Sequence, residues 1–389
     1  MFKPFIQDTD PKNHLSKMIY SLIYQHGPIS RAELLEKSNV KQTTLARTIQ
    51  ELVQHKYIRE HTIVHADRGR PPVLYQIEPA CGYFIGLQIS RLEVKIGLIN
   101  LRFQLIEQKT FLMTSMHTPQ VVVPKIAETI HAFMEKHHIE LDQLLGIGIG
   151  TIGPLDRKKG VIVHIESSLA PGWDHVPIVA MLQAAFPVRI VLENAANMAA
   201  LGEFKHKSPP VDNLLYCISS RGLGCGVIAN GELLKVKEGM SGYGHMTIDI
   251  NGPMCTCGRR GCLISYTSPY AILKELQQKR PALQLEENAQ IDHVIEFLKQ
   301  GDQLTKDIVM KSAEYFGVGL ANIVNLFHSE LVILNGSLIY EYPNYYEKVI
   351  ETASAYLLDK NNVTFSQGML KENAIMLGAS AQVWASYFP

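Results

Sequence analysis

The sequence predicts an α/β chain with a small, mostly helical head. Three observations carry this. Apolar residues recur at helical spacing in three separate stretches before residue 56. From Tyr83 onward, apolar strand-like runs alternate with helical ones. Between these two regimes lies a turn, Arg68-Gly69-Arg70-Pro71-Pro72, flanked by strand-like segments. At 389 residues the chain is long enough for two to four domains.

In the head, Leu15, Ile19, Leu22 and Ile23 mark a first helix that Gly27-Pro28 ends. Ser30-Arg31-Ala32-Glu33 is a capping box opening a short second helix, with Leu34 and Leu35 facing inward and Ser38-Asn39 as the turn. A third helix is predicted from about Gln42 to His55, its buried stripe being Leu45, Ile49, Leu52 and Val53. Residues 57–64 and 73–77 then read as the two strands of a hairpin. Three helices followed by a hairpin is the order of a winged helix-turn-helix, and residues 1–78 are assigned to it. The exposed side of the third helix carries Lys41, Gln42, Thr43, Thr44, Arg47 and Gln50. These side chains hydrogen-bond base edges and phosphates, and they cluster at the helix N-terminus, where such modules meet the major groove. Arg68 and Arg70 flank Gly69 at the tip, placed to enter a minor groove.

Composition fits this division. The chain has 37 basic and 37 acidic residues, 46% hydrophobic and 19% charged, which excludes collagen-like, disulfide-scaffold and disordered classes. Through Ala80 there are 11 Lys and Arg against 8 acidic residues, so the head is +3 and the remainder −3. No stretch approaches the roughly 20 apolar residues of a membrane span. The segment MFKPFIQDTDPKNH lacks the apolar core of a signal peptide, so the expected compartment is the cytoplasm.

In the body, residues 83–89, 94–100 and 103–111 read as strands and 123–137 as a helix. Residues 145–150 form a glycine-rich strand, 188–192 a further strand and 194–204 a helix. Residues 214–219 and 226–229 begin a second sheet, and Lys205–Asp212, with Pro209-Pro210, reads as a linker.

On these motifs the chain resembles the ROK family, which groups bacterial repressors with sugar kinases of actin-like fold. The likeness runs through Gly69-Arg70-Pro71, Gly148–Pro154, Leu169–Trp173, Glu193–Asn197, Ala200–Glu203, Gly222–Gly226, the run from Gly244-His245 to Cys262, and Gly319–Leu326. It implies a two-lobed actin-like, ribonuclease H-like body. The first lobe would be 81–204, completed by a C-terminal helix at 374–389. The second, 205–373, would carry a metal site and the dimerisation surface.

His245 precedes Cys255 by ten positions, and Cys257 and Cys262 follow. One imidazole and three thiolates make the closed tetrahedral set of a structural Zn2+ site, with no open position for chemistry. Cys81, Cys217 and Cys225 lie in apolar runs and read as core.

The resemblance also sets an enzymatic reading against a regulatory one. Family kinases carry Asp-x-Gly-x-Thr in the first turn, and this chain has Gln88, Ser90 and Leu92. The general-base position is Ala195, and Ser220-Arg221 stand where Gly-Thr precedes the second phosphate loop. Two further sugar-holding carboxylates are replaced by Gly242 and Ile264. The reading is therefore a non-enzyme: a DNA-binding repressor of carbohydrate-related genes. Its near-palindromic double-stranded operator would be bound by a homodimer or tetramer. Its effector would be a sugar, sugar phosphate or sugar acid held near Asn194 and Arg221. The alternatives are a ROK sugar kinase with a DNA-binding head, a repressor controlled by a protein partner, and a vestigial pocket.

Overall fold

The structure, a computed structural model, describes residues 2–8, 10, 13–62, 73–165, 170–206, 211–220, 222–235, 242–281 and 291–387. The head comprises α1 (Phe2–Gln7), α2 (His14–His26), β1 (Ile29–Ser30), α3 (Arg31–Ser38), α4 (Gln42–Gln54), β2 (Ile58–Thr62) and β3 (Val73–Ile77). Ser30 accepts from the Glu33 amide while Glu33 reaches back to the Ser30 amide, which is the predicted capping box. Asn39 closes α3 in the left-handed conformation at φ 51°, which asparagine tolerates better than most residues. The hairpin gains a third strand that the sequence did not announce: β1 pairs with β3, giving the antiparallel order β1-β3-β2.

The body begins with β4 (Tyr83–Ile89), β5 (Glu93–Asn100), β6 (Leu105–Leu112), α5 (Pro119–Lys136) and β7 (Leu144–Thr151). Three short strands follow, β8 (Leu155–Asp156), β9 (Val161–His164) and β10 (Asp174–Val176), then α6 (Ile178–Gln183), β11 (Arg189–Asn194) and α7 (Ala195–His206). Helix α5 starts four residues earlier than expected. Pro119 stands in the first turn, where its missing N–H costs nothing, and Pro124 lies inside the helix.

The second half holds β12 (Leu214–Ser219), β13 (Leu223–Ala229), β14 (Glu232–Leu233), α8 (Ile264–Thr267), α9 (Pro269–Lys279), α10 (Ile291–Lys299) and α11 (Gln303–Phe327). It ends with β15 (Leu331–Gly336), α12 (Ser337–Glu341), α13 (Pro343–Tyr356), β16 (Thr364–Ser366) and α14 (Ala374–Ala385).

The two large sheets repeat one topology. The first runs β11-β7-β4-β5-β6 and the second β14-β13-β12-β15-β16. In each, the first strand in sequence is central, pairs antiparallel with the second, and pairs parallel with the fourth. Helices α7 and α14 pass between the sheets. Glycines admit them: a Cβ at Gly148 would lie 2.1 Å from the Ala379 carbonyl oxygen, and one at Gly226 would lie 2.2 Å from that of Ala196. The outer face of the first sheet buries Ile126, Ile130 and Trp173, and that of the second Phe316, Leu320 and Tyr345.

The head shares a core with the first large sheet and α14. Phe2, Ile6, Ile19 and Tyr20 bury with Phe84, Leu145 and Trp384, and Tyr24 stands 4.8 Å from the Trp384 ring.

Candidate functional site

In the head, α4 buries Leu45, Thr48, Ile49 and Leu52 and turns Lys41, Gln42, Thr43, Thr44, Arg47 and Gln50 to solvent. Lys41 is the N-cap residue, so the polar side chains surround the N-terminal turn. Arg47 bonds Glu51 at 3.0 Å, one turn along the same helix. Both side chains are largely exposed, so the pair is weak and leaves the guanidinium able to change partner. Arg68 and Arg70 lie outside the described residues.

The four predicted metal ligands converge. His245 sits on a 3-10 turn (Tyr243–His245), and Cys255, Cys257 and Cys262 on the loop that doubles back after it. Their ligand atoms all lie within 4.8 Å of one another. Cys255 Sγ is 3.5 Å from His245 Nδ1, and Cys257 Sγ is 3.7 Å from Cys262 Sγ. A tetrahedral ion with metal–sulfur bonds of about 2.3 Å and metal–nitrogen bonds of about 2.0–2.1 Å has edges of about these lengths. Gly261, at φ +68°, lets the loop close: a Cβ there would fall 1.5 Å from the Asp249 carbonyl oxygen. The Arg259 backbone and side chain donate to Cys257 and hold its thiol down to about 6, whereas burial pushes Cys262 up to about 12. The site could hold a metal ion.

The first of the turns that would serve nucleotide chemistry is closed on itself. Ser90 Oγ accepts from the Leu92 and Glu93 amides and donates to the Glu93 carbonyl. The β4–β5 tip is thus a self-satisfied hairpin with Leu92 exposed. Gln88 lies at the same end of β4, its Oε1 buried and without a hydrogen-bond partner among the described residues. The expected second phosphate loop is mostly strand, because β13 already starts at Leu223. Its Gly226 makes room for α7 rather than for a phosphate. Arg221 lies outside the described residues.

Asn194 ends β11 and leads into α7, its Oδ1 accepting from the Ala196 amide at 2.9 Å. Half of its side chain is therefore spent on the helix start. Beside it, Glu193 is buried and held by Arg157, with Nε–Oε2 and Nη2–Oε1 both 2.6 Å. Glu193 also accepts from the Asn194 amide and Asn197 Nδ2. Arg157 did not figure in the sequence reading. The one trace of it was the basic run Arg157-Lys158-Lys159 before a glycine.

A reading helix and hairpin fused to a duplicated, kinase-shaped body define a DNA-binding regulator built on a sugar-kinase scaffold. The ROK family model matches residues 84–385, so the chain belongs to the ROK family. The MarR family model matches residues 18–61, within the head. A xylose repressor of Bacillus spizizenii is 29% identical over 371 residues, 94% of each chain. The DNA-binding transcriptional repressor Mlc of Escherichia coli is 26% identical over 82% of this chain and 80% of its own. Among solved structures, a ROK family transcriptional regulator described as an Mlc homologue superposes with a TM-score of 0.77 at 24% identity, covering 96% of both chains. A ROK hexokinase of Thermus thermophilus gives 0.66 at 26% identity, covering 78% of this chain and 98% of its own. The kinase likeness thus lacks the head.

Proposed function

We propose that the protein is a transcriptional repressor of carbohydrate-related genes. The observation that carries this is the polar, solvent-facing N-terminal half of α4 on a head whose core is continuous with the body. Lys41, Gln42, Thr43, Thr44 and Arg47 read a major groove, and Arg68 and Arg70 contact the flanking minor groove. One reading head per chain makes a homodimer, or a tetramer of two dimers, the natural match for a near-palindromic operator. The working units are 1–78, 81–204 completed by 374–389, and 205–373.

The metal is zinc. Three thiolates and an imidazole suit it, the separations fit its bond lengths, and four protein ligands leave no position for substrate. When bound, it ties the loop of Cys255, Cys257 and Cys262 to the turn of His245.

The body is not a kinase. Ala195 offers no base, and the Ser90 hairpin is closed on its own hydrogen bonds. Its cleft instead senses a small carbohydrate near Asn194 and Arg221. The relatives named as xylose repressors make pentoses the first class to try. The test is a thermal-shift panel of pentoses, hexoses, sugar phosphates and sugar acids, followed by a DNA-release assay with each binder. A compound that raises Tm and releases DNA supports the reading. ATP-dependent phosphorylation of any panel member contradicts it.

A further inference from the structure

A crevice of about 530 Å3 opens beside Glu193, on the side of β11 away from β7. Four cationic side chains line it: Arg157, Lys158 and Lys159 from the β8–β9 turn, and Lys235 from the segment after β14. Gln183 of α6 and Gln382 of α14 add amide groups. We propose that this crevice is a binding site for a small phosphate-bearing metabolite, separate from the pocket at Asn194 and Arg221.

Charge is the first argument. Glu193 lines the crevice but is already engaged by Arg157 through two 2.6 Å bonds. Asp156 stands 3.8 Å from Lys159. Lys158 and Lys235 make no ion pair among the described residues. The crevice therefore keeps an excess of positive charge, and cations gathered in a concavity repel one another until an anion enters.

Rigidity is the second. The turn that carries three of the cations is fixed at both ends. Lys159 N donates to Asp156 Oδ1 at 3.0 Å, and Val179 N of α6 donates to the Gly160 carbonyl at 3.2 Å. Gly160 has φ +68° and packs on Val179, where a Cβ would lie 2.5 Å from the valine side chain. Arg157 is held from beneath by Glu193. Donors held in place before binding lose less entropy on binding.

Size and position select the ligand. The volume falls within the range of roughly 300–1,000 Å3 typical of small-molecule sites. It suits a phosphorylated monosaccharide, and phosphate is the group that both arginine and lysine bind well. Glu193 also holds the Asn194 amide and the Asn197 side chain at the start of α7. An anion that draws on Arg157 therefore acts on the carboxylate that secures the effector-facing helix. Occupancy of the two sites is then linked, and the linkage is reciprocal.

The test is calorimetric titration of the full chain with fructose 1,6-bisphosphate at fixed ionic strength, with fructose as the uncharged control. The phosphorylated sugar should bind with one site per chain and fructose should not. Lys158→Glu/Lys159→Glu should weaken binding by about tenfold or more, and Lys235→Glu should weaken it also. These are exposed lysines, so the variants should keep the parent Tm. Asn194→Ala, which reaches the crevice only through Glu193 and α7, should cost less affinity than Lys158→Glu/Lys159→Glu. Absence of binding to the parent protein overturns the proposal, as does parent-like affinity in Lys158→Glu/Lys159→Glu. Loss confined to Asn194→Ala overturns it too, because it places the anion in the other pocket. Operator binding measured without the sugar phosphate reports on the repressor reading alone, so failure of either claim is seen separately.

Discussion

Cys257 is the exposed member of the four-residue metal cluster, and a single atom decides its contribution. Cys257→Ser keeps the size of the side chain and removes the thiolate. It should lower zinc content and Tm together, since metal binding and local folding are coupled. Metal analysis of protein purified without chelator checks this, and about one zinc per parent chain is expected. Asp302 is a second residue whose local chemistry makes a measurable difference. It caps the 25-residue α11, its Oδ1 accepting from the Thr305 amide and hydroxyl, while Oδ2 meets Arg280 at 2.7 Å. The Thr305 hydroxyl, and then Arg280, hold its carboxyl down to about 2. The folded state thus binds this proton less readily than the unfolded chain, whose Asp titrates near 3.9. The stabilisation is present above about pH 4 and is lost as the pH falls toward 2. Asp302→Ala should cost about 1 kcal/mol at neutral pH. The difference from the parent should shrink in acid, as followed by urea unfolding at several pH values. At this scale the sequence was informative where residue type and spacing suffice, as at the Cys/His set that the fold brings together. It was silent on Arg157–Glu193, because the partners are 36 positions apart and nothing local announces their meeting.

Among the elements, α4 is the one proposed to read the major groove, with Arg68 and Arg70 proposed to flank it. Replacing Arg70 by Ala should weaken operator binding by about 1–3 kcal/mol, measured in a shift assay at fixed salt. Unchanged affinity would remove the wing contact. Helix α14 carries a different constraint. It threads between the first sheet and α7, and a Cβ on Gly378 would lie 1.7 Å from the Met198 carbonyl oxygen. Gly378→Ala should therefore destabilise the protein by about 1–3 kcal/mol, since two packed helices must separate. Chemical denaturation of the purified variant checks it. Helices α2, α3 and α4 were legible because caps and apolar spacing are local signals, whereas α1, six residues long, was not foreseen. Strand β1 was not, because two residues, Ile29 and Ser30, pair with Tyr75 and Leu74 far along the chain and leave no periodicity to read. The second glycine motif was misjudged in extent for a related reason. Glycine permits close approach of any backbone, and here the approaching one is α7 rather than a ligand phosphate.

For the whole molecule, the consequential feature is a kinase-shaped, duplicated body joined to a reading head through a shared aromatic core. Tyr20, Tyr24 and Phe84 meet Trp384 of α14, and the other end of that helix packs on α7. The duplicated strand order was not legible, since topology depends on long-range pairing that apolar runs do not specify. The expectation that catalysis is lost rests on side-chain identities, which a sequence displays directly. The protein should show no ATP-dependent phosphorylation of any hexose, and Ala195→Asp should not restore it. A general base supplies about 10²–10⁴-fold, but positioned phosphates and metal are needed as well. The most direct test of the central claim is selection of bound duplexes from a random double-stranded DNA pool by the parent protein, with affinities then measured at physiological salt. A near-palindromic site should be bound at least about 10³-fold more tightly than random duplex. Uniform affinity across sequences, whatever the salt, would contradict the claim.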